Sequence, residues 1–285
     1  MEASPGAIPL LCPVRGCGEG LAVEARRAVC PRGHAFDRAR SGYWNLLQPQ
    51  DRRAAAPGDS KGAALARRRL VERGAEGPLH TALAEILVAR VPDGGSAALL
   101  DVGCGEGSLL AALAATGRFA ACGLDLSAPA VELAARLAPG VTWVVANADR
   151  GLPFPDGTFE VALSVNARLP AAELARVLAP DGLLVVAVPG PDDLAALRAR
   201  LHGGATPLPG LASVLPRLAP RFGLADRLAL SWEVELDRAG IDHLLAASYR
   251  GARRRDRERL GPVERLAVGR AQEIGLFASA RGLPG

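Results

Sequence analysis

Residues 100–107 read Leu-Asp-Val-Gly-Cys-Gly-Glu-Gly, and no other stretch of the 285-residue chain constrains its fold as much. Glycines at alternate positions let a backbone turn sharply and approach a ligand closely. They lie between an apolar run, 98–102, and a segment of helical character, 106–116. A strand that turns through glycines into a helix is the opening unit of a nucleotide-binding α/β fold. The turn lacks the Gly-Lys-Ser/Thr ending of a phosphate-binding P-loop, and its GxGxG spacing differs from the GxGxxG of dinucleotide enzymes.

The rest of the chain repeats that unit. Short apolar runs at 98–102, 119–124, 141–146, 159–164 and 182–188 alternate with helical segments at 106–116, 127–138, 171–179 and 191–201. This alternation predicts a Rossmann-like α/β fold, a mostly parallel sheet covered on both faces. Residues 228–236 alternate apolar and polar as an antiparallel or edge strand does, and 271–280 is a candidate partner. Upstream, Asp59 or Ser60 is placed to cap a helix from Lys61 to about Arg90, interrupted at Gly77-Pro78. The polar, Pro- and Gly-containing stretch 48–60 reads as a linker. The expected division is 1–47, a small metal ribbon; 48–60, the linker; and 61–285, the main domain.

Five cysteines make an odd set, and three of them crowd the first thirty residues beside a histidine, as Cys12-x4-Cys17-x12-Cys30-x3-His34. Disulfides do not fit that layout. Two knuckles of thiolate and imidazole ligands suit tetrahedral zinc with no open position, hence a structural ion. Cys104 and Cys122 lie in apolar stretches, where a free cysteine behaves as a small buried hydrophobe.

Charge enters here only with a correction. A net charge of +4 and a pI near 9.1 hint at a polyanionic partner. Yet Lys61 is the sole lysine among many arginines in an Ala-, Gly- and Pro-rich chain, a pattern that a GC-rich coding bias produces everywhere. Only local clusters of arginine therefore count. No apolar run approaches the roughly 20 residues of a membrane span, and Met1–Leu11 lacks the charged start and apolar middle of an export signal, so the expectation is a cytoplasmic protein without a membrane partner.

Gly123-Leu124-Asp125 ends the second strand about twenty residues after the glycine turn, where an acid binds the ribose hydroxyls of a nucleoside. Ala146-Asn147-Ala148-Asp149 ends the third, followed by Leu152-Pro153-Phe154 and Asp156-Gly157-Thr158-Phe159. Over about residues 98–190 the chain resembles class I S-adenosylmethionine-dependent methyltransferases. The resemblance implies that the later block holds adenine and that Asp101, Gly103, Gly105, Glu106, Asp125, Asn147, Ala148 and Asp149 bind the cofactor. Taken alone, Asp125 reads equally well as a helix cap, Asp149 as a turn residue and Glu106 as an acid at the positive end of a helix.

The resemblance narrows with Cys30-Pro31-Arg32-Gly33-His34-Ala35-Phe36-Asp37, Gly42-Tyr43-Trp44-Asn45-Leu46-Leu47, Pro57-Gly58-Asp59-Ser60, Ala66-Arg67-Arg68-Arg69 and Pro189-Gly190-Pro191. These segments resemble the RlmA family of 23S rRNA guanine-N1 methyltransferases almost end to end. The resemblance implies a zinc ribbon (Cys12, Cys17, Cys30, His34) that grips a hairpin of 23S rRNA, no DNA partner, a homodimer, and a link to macrolide-type antibiotic susceptibility. The chain departs from the family twice. Gly74-Ala75-Glu76-Gly77-Pro78-Leu79 stands where Gly-x-Tyr-x-Pro-Leu is usual, and Val165-Asn166-Ala167-Arg168 where an aromatic-small-Pro turn is usual.

Methyl transfer from a sulfonium is an in-line displacement, so positioning and water exclusion carry it. Asn166 and Arg168 after the fourth strand are the candidate catalytic residues, gripping the edge of a base splayed from its hairpin. They read equally well as polar loop residues facing solvent. Phosphate contacts are expected from Arg26, Arg27, Arg32, Arg38, Arg40, Arg52, Arg53 and Arg67–Arg69, so that neutralising the last three weakens RNA binding and spares the cofactor. Arg253-Arg254-Arg255-Asp256-Arg257 reads as a solvated helix face. Two other readings stay open: a small-metabolite methyltransferase with the ribbon as a lid, and a catalytically silent RNA-binding protein.

Overall fold

The computed structural model describes residues 8–50, 58–92, 94–247 and 259–280. Pro57, Arg52 and Arg53 of the linker and the 253–257 charge run lie outside the described residues.

The first element is a three-stranded antiparallel sheet of β1 (Ala22–Val23), β2 (Arg27–Val29) and β3 (Ala35–Asp37). Three such short strands bury little, and Ala28 is their one fully buried residue. The ribbon leans on its neighbour instead. Ile8, Leu10 and Ala28 pack in one core with Leu152, Phe154 and the sheet residues Leu100 and Val144, and Leu11 N donates to Pro153 O at 2.8 Å. Immediately afterwards β4 (Trp44–Asn45) leaves the ribbon and joins the large sheet. Trp44 is buried and also bridges Arg38 of the ribbon, so the ribbon and the large sheet meet at β4.

The large sheet has eight strands. Besides β4 they are β5 (Ala97–Val102), β6 (Phe119–Asp125), β7 (Thr142–Val145), β8 (Phe159–Val165), β9 (Leu178–Pro189), β10 (Phe222–Asp237) and β11 (Arg265–Ser279), in the order β10-β11-β9-β8-β5-β6-β7-β4. From β4 to β9 the pairing is parallel, as the continuous apolar runs predict, and β11 and β10 add antiparallel. The strands expected at 228–236 and 271–280 fall in the later parts of β10 and β11, paired from Phe222↔Ser279 to Asp237↔Arg265.

Helices cover both faces. On one side α2 (Gly77–Val88), α3 (Ser108–Ala115) and α4 (Ala128–Leu137) pack with Leu99, Val145 and Val161. On the other, α5 (Ala171–Val177) and α7 (Leu215–Leu218) pack with Leu100, Phe154, Phe159 and Phe277. A third cluster joins α1 (Lys61–Glu72), α6 (Ala195–His202) and α8 (Arg238–Ala247) beyond the antiparallel strands. No helix among the described residues is long and apolar enough to cross a membrane.

The helix expected from Lys61 to Arg90 is two helices, and the break falls before Gly77-Pro78. Ser60 Oγ caps α1 by accepting from Ala63 N at 3.2 Å, and Gly74 turns the chain at φ +77°. Pro78 sits in the first turn of α2, where its missing N–H interrupts nothing. The segment expected from residue 191 starts as α6 only at Ala195, after Leu194 adopts φ +53°.

Candidate active site and metal centre

Chain order reverses at β5: β6, β7 and β4 lie to one side of it, β8, β9, β11 and β10 to the other. Ligands of open α/β sheets bind at the carboxyl ends of the strands at such a switch point, and there the glycine turn opens. Gly103, Gly105 and Gly107 have φ of +83°, +56° and +83°, conformations that glycine alone adopts without strain. Close approach matters equally. A Cβ on Gly103 would lie 2.3 Å from Ala167 Cβ, and one on Gly107 would lie 2.5 Å from Ala134 Cβ and 2.7 Å from Trp143.

A cavity of about 720 Å³ runs from this turn across the strand ends, within the ordinary range for a cofactor site. All eight residues expected to bind the cofactor line it, as do Asn166 and Arg168. The adenine block divides. Asn147, Ala148 and Asp149 face the cavity, while Leu152, Phe154 and Phe159 are core, with Phe154 and Phe159 edge-to-face at 5.0 Å between centroids.

Several of these side chains also hold the loop together. Asp125 accepts from Gly105 N at 2.9 Å and from Ser127 N at 2.7 Å. Burial raises its pKa against the pull of those two N–H groups. Ser127 Oγ then caps α4 through Ala130 N at 3.2 Å and donates to Asp59 O at 2.6 Å. Glu106 is buried, with one oxygen accepting from Ser108 Oγ at 2.7 Å at the start of α3. Asp101 Oδ1 is buried with no hydrogen-bond partner, and burial, with the charge of Asp125, lifts its pKa to about 7. An orphaned acid at the back of a glycine-lined cavity fits a cofactor that brings positive charge and N–H donors. S-Adenosylmethionine carries both.

Asn166 and Arg168 are exposed at the mouth. Asn166 holds φ +52°, and Arg168 Nη1 lies 3.3 Å from Asp149 Oδ2 with its side chain 76% exposed. An ion pair that exposed contributes at most about 1 kcal/mol, so the arginine is available to exchange partners.

The arginines of the 67–69 run have partners within the protein. Of the arginines assigned to phosphate, Arg67 pairs with Asp59 at 2.7 Å and donates to Ala247 O at 3.1 Å. Arg68 reaches Glu106 Oε2 at 2.7 Å and Glu106 O at 2.6 Å with 17% of its side chain exposed. Arg69, paired with Glu72 at 3.1 Å, stands in solvent. Arg68 thus holds the glycine loop through Glu106, and Arg67 ties Asp59 to the end of α8. Arg68→Ala should weaken S-adenosylmethionine binding by at least about tenfold, because it strips a buried carboxylate of its counter-charge. Arg69→Ala should not. Calorimetry checks both, and an Arg68→Ala protein that binds like the parent would sink the assignment.

In the ribbon, Cys12, Cys17, Cys30 and His34 bring one ligand atom each to within 4.8 Å of one another. Cys17 and Cys30 sulfurs are 3.8 Å apart, and His34 Nδ1 lies 3.5 Å from Cys12 Sγ and 3.3 Å from Cys30 Sγ. Zinc–sulfur bonds near 2.3 Å and zinc–nitrogen bonds near 2.0 Å give tetrahedral edges of about 3.8 and 3.5 Å. The donor set therefore fits zinc. Burial, opposed by a hydrogen bond from Val14 and reinforced by Cys17 and Cys30, pushes the Cys12 thiol up to about 12, so a cation is what would ionise it. Around the site Arg32 donates to Gly16 O at 2.6 Å, and Arg38 donates to Gly42 O at 2.9 Å while lying 5.3 Å over the Trp44 ring. Arg27 pairs with Glu24, whereas Arg26 and Arg40 are exposed.

The comparisons with known proteins agree with both sites. Residues 10–55 match the model of the RlmA amino-terminal zinc ribbon and residues 99–182 that of a methyltransferase domain. The 23S rRNA (guanine(748)-N(1))-methyltransferase of Streptomyces fradiae is 33% identical over 83% of each chain. The chain belongs to the RlmA family of methyltransferases. A Bacillus subtilis protein named "Putative 23S rRNA (guanine-N(1)-)-methyltransferase" is 38% identical to this RlmA member over 67% of its length and 68% of the relative's. Among solved structures, the complex between the Haloferax volcanii Trm112 methyltransferase activator and a methyltransferase holds a chain with TM-score 0.50 and 19% identity, covering 78% of this chain and 98% of that one. That likeness concerns the fold alone. S-Adenosylmethionine and zinc are the cofactors of an RlmA chain so built.

Two cavity residues, Asp193 and Arg270, had no signal in the sequence. They lie 77 positions apart, and in an arginine-rich chain neither stands out.

Proposed function

We propose that this chain transfers a methyl group from S-adenosylmethionine to N1 of a guanine in a hairpin of 23S rRNA. What carries the reading is one chain holding both a metal-ligand ribbon and a glycine-loop cavity, over a length shared with RlmA relatives named for that reaction. When bound, S-adenosylmethionine supplies an electrophilic methyl on a sulfonium. The rest is positioning.

In this reading Asp125 holds the ribose, Asn147, Ala148 and Asp149 flank the adenine, and Gly103, Gly105, Glu106 and Asp101 shape the end that takes the methionine part. Asn166 and Arg168 meet the base edge at the mouth, with Arg168 leaving Asp149 to do so. The ribbon is bonded to the main domain from Leu11 to Pro153, and its exposed Arg26 and Arg40 are the residues that grip RNA in this reading. Duplex pairing hides N1, so the target guanine must be splayed from its stack.

A methyl on N1 blocks the Watson–Crick edge. Reverse transcriptase should therefore stop at one guanine in 23S rRNA treated with zinc-loaded enzyme and S-adenosylmethionine, and read through without the enzyme. Transfer of labelled methyl to small molecules alone, or to nothing, would overturn the assignment in favour of a metabolite enzyme or a silent RNA binder.

A further inference from the structure

Three charged side chains are fixed together in the cavity wall. Arg270 on β11 donates from Nη1 to Glu76 Oε1 at 2.6 Å and from Nε to Asp193 Oδ1 at 2.9 Å. Ala271 N donates to the same Asp193 oxygen at 2.9 Å. The guanidinium lies 5.5 Å over the ring of Trp232, whose Nε1 donates to Ala75 O at 3.0 Å, next to Glu76. Asp193 and Arg270 side chains are each 8% exposed and that of Glu76 17%.

Two carboxylates sharing one guanidinium leave a net negative charge in a buried place. Buried charge is costly unless it is paired. His80, the next residue of the wall, does not supply a second cation: burial, against the charges of Glu76 and Glu106, holds its pKa below the usual value. Of the two carboxylates Glu76 is the more exposed, and it lines the cavity. Its second oxygen, Oε2, has no hydrogen-bond partner among the described residues. A carboxylate so placed recognises neighbouring N–H donors. Guanine presents two on one edge, at N1 and the exocyclic amine, whereas adenine presents an acceptor at N1.

We propose that Glu76 is the proton acceptor of the methyl transfer, its carboxylate pairing with N1–H and the exocyclic amine of the target guanine. This rests on the guanine-N1 reading above. The N1–H bond breaks with its electron pair left on nitrogen, that pair forms the bond to the methyl carbon, and the carbon–sulfur bond breaks with its electrons on sulfur. The proton stays on Glu76 until water takes it. Arg270 is a positioning residue that aims the carboxylate, and Asp193 and Trp232 hold Arg270.

The test is single-turnover methylation of 23S transcript across pH 5 to 9 with saturating S-adenosylmethionine. Glu76→Gln keeps an acceptor for Arg270, so it should keep its melting temperature and S-adenosylmethionine affinity and react about 10² to 10⁴ times more slowly. The Glu76→Gln rate should climb more steeply with pH than the parent's, because hydroxide then replaces the missing acceptor. Glu76→Asp, which keeps a carboxylate, should recover part of the rate. The other titratable groups facing Glu76 are His80 on α2, Asp193 after β9 and Arg270, with Glu106 beyond His80. A Glu76→Gln enzyme within a few-fold of the parent, or a folded Glu76→Asp enzyme no faster than Glu76→Gln, overturns the proposal. A parent enzyme that gives no reverse-transcriptase stop overturns the guanine reading and this proposal with it.

Discussion

Purified protein should contain one zinc per chain, and stripping it should melt the ribbon while leaving the large sheet folded. The ribbon's three strands comprise two, three and three residues, too few to fold on burial alone. Structural zinc in such small units contributes apparent binding energies of about 10 to 16 kcal/mol, far more than the strands supply. Loss of the metal removes the fixed positions of Cys12, Cys17, Cys30 and His34 and uncovers Ile8, Leu10 and Ala28, which pack against the main core. Amide exchange should therefore accelerate over residues 8–43 of chelated protein. Binding of S-adenosylmethionine should persist, since its cavity takes no residue from the ribbon, and methylation of rRNA should fall to background. Cys30→Ser should behave as the stripped protein does. Elemental analysis that finds no zinc, or a Cys30→Ser protein whose ribbon exchanges as slowly as the parent's, rules the metal role out.

What the sequence made legible is what a short window encodes. The glycine turn, the alternation of apolar runs with helices and the ligand spacing are local patterns, and each led to the right element. Boundaries moved where a local signal had two meanings. Gly77-Pro78 reads as a break, yet proline is equally at home in a helix's first turn, and α2 begins there. Trp44-Asn45 follows the ribbon in sequence but pairs in parallel with Val144 and Val145 of β7, a hundred residues on, and no local pattern announces that. Glu76 stood out as a departure from the family pattern, but the ion pairs around the cavity were out of reach for the same reason. Arg68 meets Glu106 across 38 residues and Arg270 meets Glu76 across 194. In a chain that uses arginine nearly everywhere a lysine would serve, the arginines that matter carry no mark until the fold brings their partners to them.

Asp101 gives the second large effect. Its side chain is buried with Oδ1 unpartnered, and its pKa is lifted from 3.8 to about 7 by burial and by Asp125. A raised carboxyl favours the protonated form in the folded state, so its contribution to stability is full below the unfolded value near 4 and is lost as pH climbs through about 7. Unliganded protein should lose on the order of a few kcal/mol across that window. S-Adenosylmethionine bears positive charge, so its binding should favour ionised Asp101 and tighten over the same range. Asp101→Asn separates the two effects. The neutral amide spares the burial of charge, so the unliganded variant should melt higher than the parent at pH 8 and no differently at pH 4. The same variant should bind S-adenosylmethionine more weakly, by at least about tenfold at pH 8, with most of the pH dependence gone. Thermal melts with and without the cofactor at pH 4, 6 and 8 read both halves. An Asp101→Asn protein that is less stable than the parent at pH 8, or that keeps the parent's pH dependence of cofactor binding, would show that the charge sits elsewhere in the cavity, with Asp125 the first place to look.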